Sequence, residues 1–164
     1  MENTLYLELA SGRVVIEMRP DLAPRHVARI KELVRKGFYD GLKFHRVIDG
    51  FMAQTGDVEF GTRADFPEGR AGTGGSNLPD LPAEFSDAPF EKGTVGMARA
   101  QDPNSANSQF FIMFDEGAFL NGQYTVVGQV VAGQDVVDRI RRGEGANGEV
   151  SDPDWMAKVS VKGE

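Results

Sequence analysis

The stretch FHRVIDGFMAQTGD, residues 44–57, sets one arginine and one glutamine among aromatic and thioether side chains, and the turn inside it decides which of them meet. A two-residue turn at Asp49-Gly50 pairs Arg46 with Ala53 and sends Gln54 to the opposite face. A three-residue loop, Asp49-Gly50-Phe51 with Gly50 in the left-handed region, brings Arg46 opposite Gln54. The second arrangement is the expectation. It leaves Phe51 on the loop and Met52 on the arginine's face. Further along, SQFFI at residues 108–112 alternates so that Phe110 and Ile112 share one face and Gln109 and Phe111 the other. Such a strand is apolar on both sides. Together the two segments predict a site for a polar bond inside an apolar substrate.

Period two recurs elsewhere. Leu5, Leu7 and Leu9 alternate with Tyr6 and Glu8, and after a turn at Ser11-Gly12 the pattern resumes with Val14, Ile16 and Met18, which reads as a hairpin. Short β-rich runs follow at 43–47, 52–55, 94–98, 109–114, 125–131 and 156–161. Eight strands is the number at which side chains just fill a closed barrel, and eleven phenylalanines favour a filled interior over one that carries a ligand.

Two helices interrupt the strands. The first starts at Pro24, whose fixed φ suits the opening helical position, presents Val27, Ile30, Leu33 and Val34 on one face, and stops at Gly37. The second is expected from Gln134 to Arg142, with Asp135 and Asp138 early and Arg139, Arg141 and Arg142 late, ahead of Gly143. They could plug the two ends of a barrel. Between residues 57 and 92 runs a long connection rich in glycine and proline, which Phe60, Phe66, Leu78, Leu81, Phe85 and Phe90 could anchor.

The chain of 164 residues fits one domain, 1–164, and buries roughly two-thirds of its unfolded surface. It has no cysteine, which removes disulfides, thiolate nucleophiles and Cys-containing zinc sites. Only His26 and His45 are available to a His-rich metal site. A net charge of −7 argues against nucleic acid or anionic membrane as a general partner. With no basic start, no apolar h-region and no run long enough to span a bilayer, a soluble cytoplasmic protein is expected. Residues 143–148, GEGANG, match the dinucleotide fingerprint letter for letter but follow a helix instead of joining a strand to one, so they are set aside. The glycines at 72–75 lack the Lys-Ser/Thr pair of a phosphate loop.

GFYDGLKFHRVIDGFMAQTGD, then GTGG, GTVGMARA, NSQFFIMF and FLNGQYTVVGQVVAGQDVVDRI, in this order, resemble the cyclophilin family of peptidyl-prolyl cis-trans isomerases, in its short bacterial single-domain form. The resemblance implies a mainly β fold, a closed eight-stranded antiparallel barrel capped by two α-helices, with its groove on the outer wall. It implies an isomerase that rotates X-Pro bonds and assists protein folding, without a cofactor or metal. By matched position Arg46 is the catalytic arginine and Gln54 its supporting partner. Phe51, Met52, Phe111 and Leu120 correspond to the proline pocket; Ala98, Arg99 and Gln109 to the groove for the residues before proline; Gly72 to a groove wall. Three positions depart from the best-known eukaryotic pattern. Arg99 stands where asparagine is usual, Phe119 replaces a tryptophan whose N–H bonds cyclosporin, and Tyr124 replaces a histidine at the pocket edge. Proline-containing peptides and unfolded or flexible clients are the implied partners, with weak cyclosporin binding at most and a monomeric state. His45, beside Arg46, and His26 are read as structural, since this reaction moves no proton.

Overall fold

The computed structural model describes residues 3–59, 61 and 74–163. Strands β1 (Thr4–Leu9) and β2 (Gly12–Met18) form the expected hairpin, paired Leu5 to Ile16 and Leu7 to Val14, with the two-residue turn at Ala10 and Ser11, one place earlier than the sequence pattern put it. Their alternate residues Leu5, Leu7, Leu9, Val14, Ile16 and Met18 are all buried. The remaining strands are β3 (Arg46–Ile48), β4 (Met52–Thr55), β5 (Thr94–Met97), β6 (Phe110–Met113), β7 (Val126–Ala132) and β8 (Lys158–Val161). They form one antiparallel sheet in the order β3-β4-β6-β5-β7-β2-β1-β8. Register shifts at Val15/Ile16 and Val95/Gly96 accompany its curl.

The sheet is an open half-barrel, not the closed barrel expected. Its edges, β3 and β8, share no ladder. The outer edge of β3 is already taken: Val47 N–H donates to Gly148 O at 2.8 Å and Val150 N–H to His45 O at 3.2 Å. The runs expected to extend both edges form no strand ladder; the segments meet through the Lys43–Trp155 bridge and the bonds from Phe44 N–H to Asp154 O, Met156 N–H to Leu42 O and Gly41 N–H to Met156 O. At the other edge, the Asp40 carboxylate accepts the outward N–H of Val159 at 2.8 Å.

Helix α1 (Pro24–Arg35) begins at Pro24 as expected but has no cap of its own. The Glu84 carboxylate, from the long connection, accepts the N–H groups of Arg25 and His26 and the His26 Nδ1–H at 2.5 Å, so it satisfies donors that the helix start leaves orphaned. The helix closes in a Schellman turn, Phe38 N–H to Leu33 O and Gly37 N–H to Val34 O, with Gly37 at φ 74°. Helix α2 spans only Gln134–Asp138, shorter than the expected 134–142. Beyond it Arg141 N–H goes to the Asp154 carboxylate and Arg142 Nε to the Asp49 carboxylate, while Arg142 Nη1 donates locally to the carbonyls of Asp138 and Ile140. The helices lie at opposite ends of the β1–β2 hairpin, Ile30 beside Leu5, Ile16 and Met18, and Val136 against Gly12. The interior void among these residues, Val95, Phe110 and Val127 is about 10 Å³, room for one water at most. No described helix is long and apolar enough to cross a membrane.

Of the expected loop anchors, Leu81 and Phe90 are buried, Leu78 packs against the core, and Phe85 stays 44% exposed; Phe60 and Phe66 lie outside the described residues.

Both histidines are buried, and burial pushes each ring's pKa down, in His26 against the pull of Glu84 and in His45 against that of Asp57. Burial opposes ionisation of Glu84, yet the His26 ring and the two backbone N–H groups together hold its pKa below the usual carboxylate value. The unfolded chain therefore binds more protons in mild acid. Stability present above an unfolded imidazole value of about 6.5 is lost as pH falls toward the folded values, with a further loss below about 4.3 from Glu84. Thermal unfolding followed by circular dichroism is expected to give a lower Tm at pH 5.5 than at pH 7.5; a flat Tm across that range would contradict these assignments.

Candidate functional site

The β3–β4 connection has three residues, Gly50 sits at φ 74°, and the pairs are Arg46 with Gln54, Val47 with Ala53 and Ile48 with Met52. This is the register expected from the sequence, and it puts Arg46, Met52 and Gln54 on one face. The loop is tied down from outside: Arg142 Nε donates to the Asp49 carboxylate at 3.0 Å while its guanidinium lies 3.9 Å over the Phe114 ring, and Phe114 N–H donates to Phe51 O at 2.8 Å. Phe51 is thereby held against the end of β6.

A directed chain of bonds crosses this face. Arg46 Nη1 donates to Gln54 Oε1 at 3.1 Å, Gln54 Nε2 to Gln109 Oε1 at 2.8 Å, and Gln109 Nε2 to Gly74 O at 2.9 Å. A guanidinium can only donate, so Arg46 fixes the first amide's orientation and that amide fixes the next. The Nε of Arg46 donates to Asn147 O at 2.8 Å. Among the described residues Nη2 has no acceptor.

Beside this chain lies an apolar hollow. Strand β6 sends Phe110 and Ile112 inward, where Phe110 meets the Tyr39 ring edge-on at 5.6 Å, and sends Phe111 and Met113 outward into a separate cluster with Met52, Phe90, Leu120 and Val126. The Phe111 ring stacks on Phe90 at 5.8 Å and meets Tyr124 edge-on at the same distance. Gly96 permits this, because a Cβ there would stand 2.7 Å from both the Phe111 and Phe90 rings. The resulting cavity, about 410 Å³, is lined by Arg46, Phe51, Met52, Gln54, Ala98, Arg99, Phe111, Phe119, Leu120 and Tyr124. Phe119 stands at its rim, 71% exposed, with its ring 5.4 Å from that of Phe51.

A second cavity of about 190 Å³ adjoins the first through Gln54, Ala98 and Arg99 and continues past Gly74, Ser105, Asn107 and Gln109. Arg99 braces the junction. Its guanidinium donates to the carbonyls of Ala100, Gln101 and Gln123 and lies 4.4 Å over the Tyr124 ring. Every site residue named from the sequence lines one cavity or the other, except Gly72, which lies outside the described residues. The sequence reading missed Asn147, Ser105 and Asn107. His45 lines neither cavity, and its ring nitrogens have no hydrogen-bond partner among the described residues.

The sequence pattern of the family described as "Cyclophilin type peptidyl-prolyl cis-trans isomerase/CLD" matches residues 4–161. The chain belongs to the cyclophilin family. Among its relatives, a probable peptidyl-prolyl cis-trans isomerase of Brucella suis biovar 1 is 65% identical over 163 residues, 98% of this chain and 83% of that one. Peptidyl-prolyl cis-trans isomerase B of Bacillus subtilis is 36% identical over 162 residues, 98% of this chain and 99% of that one. The crystal structure of cyclophilin AquaCyp293 from Hirschia baltica superposes with a TM-score of 0.81 at 30% identity, covering 98% of this chain and 74% of that one. The protein is thus a peptidyl-prolyl cis-trans isomerase of the cyclophilin type.

The two aromatic residues of the cavity differ in what they hold up. Phe111→Ala removes a buried ring and is expected to cost about 3–5 kcal/mol, whereas Phe119→Ala, at the exposed rim, should stay within about 0.5 kcal/mol of the parent. Urea unfolding of both variants checks the contrast.

Proposed function

We propose that this cyclophilin rotates X-Pro bonds in the outer cavity with Arg46 as the donor to the twisting amide, and that in doing so it assists the folding of unfolded or flexible clients. The observation that carries the reading is the pairing of Arg46 with Gln54 on one face, directly beside an apolar hollow of proline-ring dimensions or more.

The X-Pro bond keeps the barrier of a resonant amide, roughly 18–20 kcal/mol, although its trans preference is small. Rotation breaks no covalent bond and needs no nucleophile. Twisting pyramidalises the prolyl nitrogen and localises its lone pair, which then accepts a hydrogen bond that the planar ground state cannot. A donor placed there stabilises the transition state selectively. Arg46 suits this task because its guanidinium remains charged and two of its nitrogens are anchored, by Asn147 O and Gln54 Oε1.

One charge-assisted bond is worth roughly 1.5–3 kcal/mol net. An acceleration of about 10⁵ requires roughly 7 kcal/mol. The remainder is assigned to orientation of the peptide and to fixed dipoles in a partly desolvated groove. In this scheme Phe51, Met52, Phe111 and Leu120 hold the proline ring, with Phe119 and Tyr124 at its edge, while Ala98, Arg99, Gln109 and Gly72 receive the residues before it. Phe119 offers no N–H donor, so cyclosporin is expected to bind weakly. The enzyme is taken to work as a monomer in the cytoplasm.

Arg46→Ala is expected to lower kcat/KM by roughly 10²–10³, as for loss of one preorganised electrostatic donor, with its circular dichroism spectrum unchanged. A protease-coupled assay on a proline peptide measures this. Parent-like activity in the folded variant would remove Arg46 from the mechanism, and parent protein that binds the peptide without turning it over would make the groove a binding site only.

A further inference from the structure

The GEGANG segment set aside as a failed dinucleotide fingerprint has a different use. Residues 143–149 form a turn that closes on the exposed Glu149 through both its carboxylate and its backbone carbonyl. Its carboxylate Oε2 accepts Asn147 N–H at 3.1 Å, and its backbone carbonyl accepts the N–H groups of Glu144 and Gly145 at 3.1 and 3.2 Å. Gly143 and Gly148 are required by the backbone, and Gly145 makes room for the Glu149 carboxylate. A Cβ on Gly145 would stand 2.0 Å from Glu149 Oε2, one on Gly143 would stand 2.0 Å from Gly148 O, and Gly148 sits at φ 84° against Ile48. The turn is docked on β3 by Gly143 N–H to Val47 O and Val47 N–H to Gly148 O, both at 2.8 Å. The carbonyl it delivers is that of Asn147, the acceptor for Arg46 Nε at 2.8 Å.

We infer that Glu149 is a positioning residue for Arg46: by holding Asn147 N–H it fixes the turn that aims the Asn147 carbonyl at the guanidinium. The inference rests on the catalytic role proposed for Arg46. Glu149 does not line either cavity, so it acts through Arg46 and not on the peptide. Its effect belongs in kcat, because Arg46 is assigned to the transition state and the apolar pocket to ground-state binding.

Glu149→Ala is expected to lower kcat roughly tenfold, less than the hundredfold that a misplacement of a full ångström can cost, with KM within about twofold of the parent. Glu149→Gln keeps an acceptor for Asn147 N–H and should recover most of the loss. Gly145→Ala, which crowds the carboxylate, should reproduce the loss, and adding it to Glu149→Ala should lower kcat no further. The second readout is independent of turnover: the Arg46 Nε–H resonance, assigned by its disappearance in Arg46→Lys, should move upfield and exchange faster with water in Glu149→Ala. Folding of each variant is checked by thermal unfolding. If Glu149→Ala folds and leaves both kcat and the Nε–H signal unchanged, the inference is wrong. It is equally wrong if kcat falls with the signal unmoved, if the loss appears in KM, or if Glu149→Gln is as impaired as Glu149→Ala. An inactive parent protein would instead overturn the proposed function, and the Nε–H signal would still decide whether Glu149 positions Arg46.

Discussion

The length of one connection governs the site. Three residues between β3 and β4, with Gly50 in the left-handed region, set a register in which Arg46 faces Gln54. Side chains along a strand alternate, so a slip of one residue would turn Gln54 inward and bring Ala53 beside the arginine. The chain of amides across the groove follows from that register. Gln54 takes its orientation from Arg46, Gln109 takes its own from Gln54, and the last amide reaches back to Gly74 on the long connection.

The apolar half of the site depends on β6 having two buried faces. Its inward residues help fill the sheet's interior, where the void between α1 and the sheet is about 10 Å³, far smaller than the hollow of about 410 Å³ on the outer side. Its outward residues need cover of their own. Phe90, Leu120 and Tyr124 supply it, delivered by loops instead of strands, and Gly96 provides the thin place where two rings can lie across the sheet. The hollow is what remains uncovered. Its floor is thereby buried with the sheet, while at its rim Phe119 is largely exposed.

Features carried by side-chain periodicity were readable from the sequence: the first hairpin, the inward and outward split of β6, and the shared face of Arg46 and Gln54. Features carried by tertiary hydrogen bonds were not. Arg141 and Arg142 read as the cationic end of a long helix, but Arg141 N–H binds Asp154, Arg142 Nε binds Asp49, and the helix stops at Asp138. Closure of the barrel rests on a strand count and on the family resemblance, and neither says what occupies the outer edge of β3. Asn147 was missed for a simple reason. It contributes a backbone carbonyl, which every residue has, and only the glycine spacing around it marked the place.

An open sheet also carries a hazard that a closed one lacks, since unpaired edges are templates for strand addition between molecules. Here each edge has at least one outward group occupied. At β8 the Asp40 carboxylate occupies an outward N–H and sets a negative charge where an incoming strand would bring its carbonyl oxygens. At β3 the guard is the turn that also supplies the acceptor for Arg46. That turn therefore has two attachments, to the Arg46 guanidinium through the Asn147 carbonyl and to the outer edge of β3, and a variant that loosens it exposes a free β-edge beside the groove.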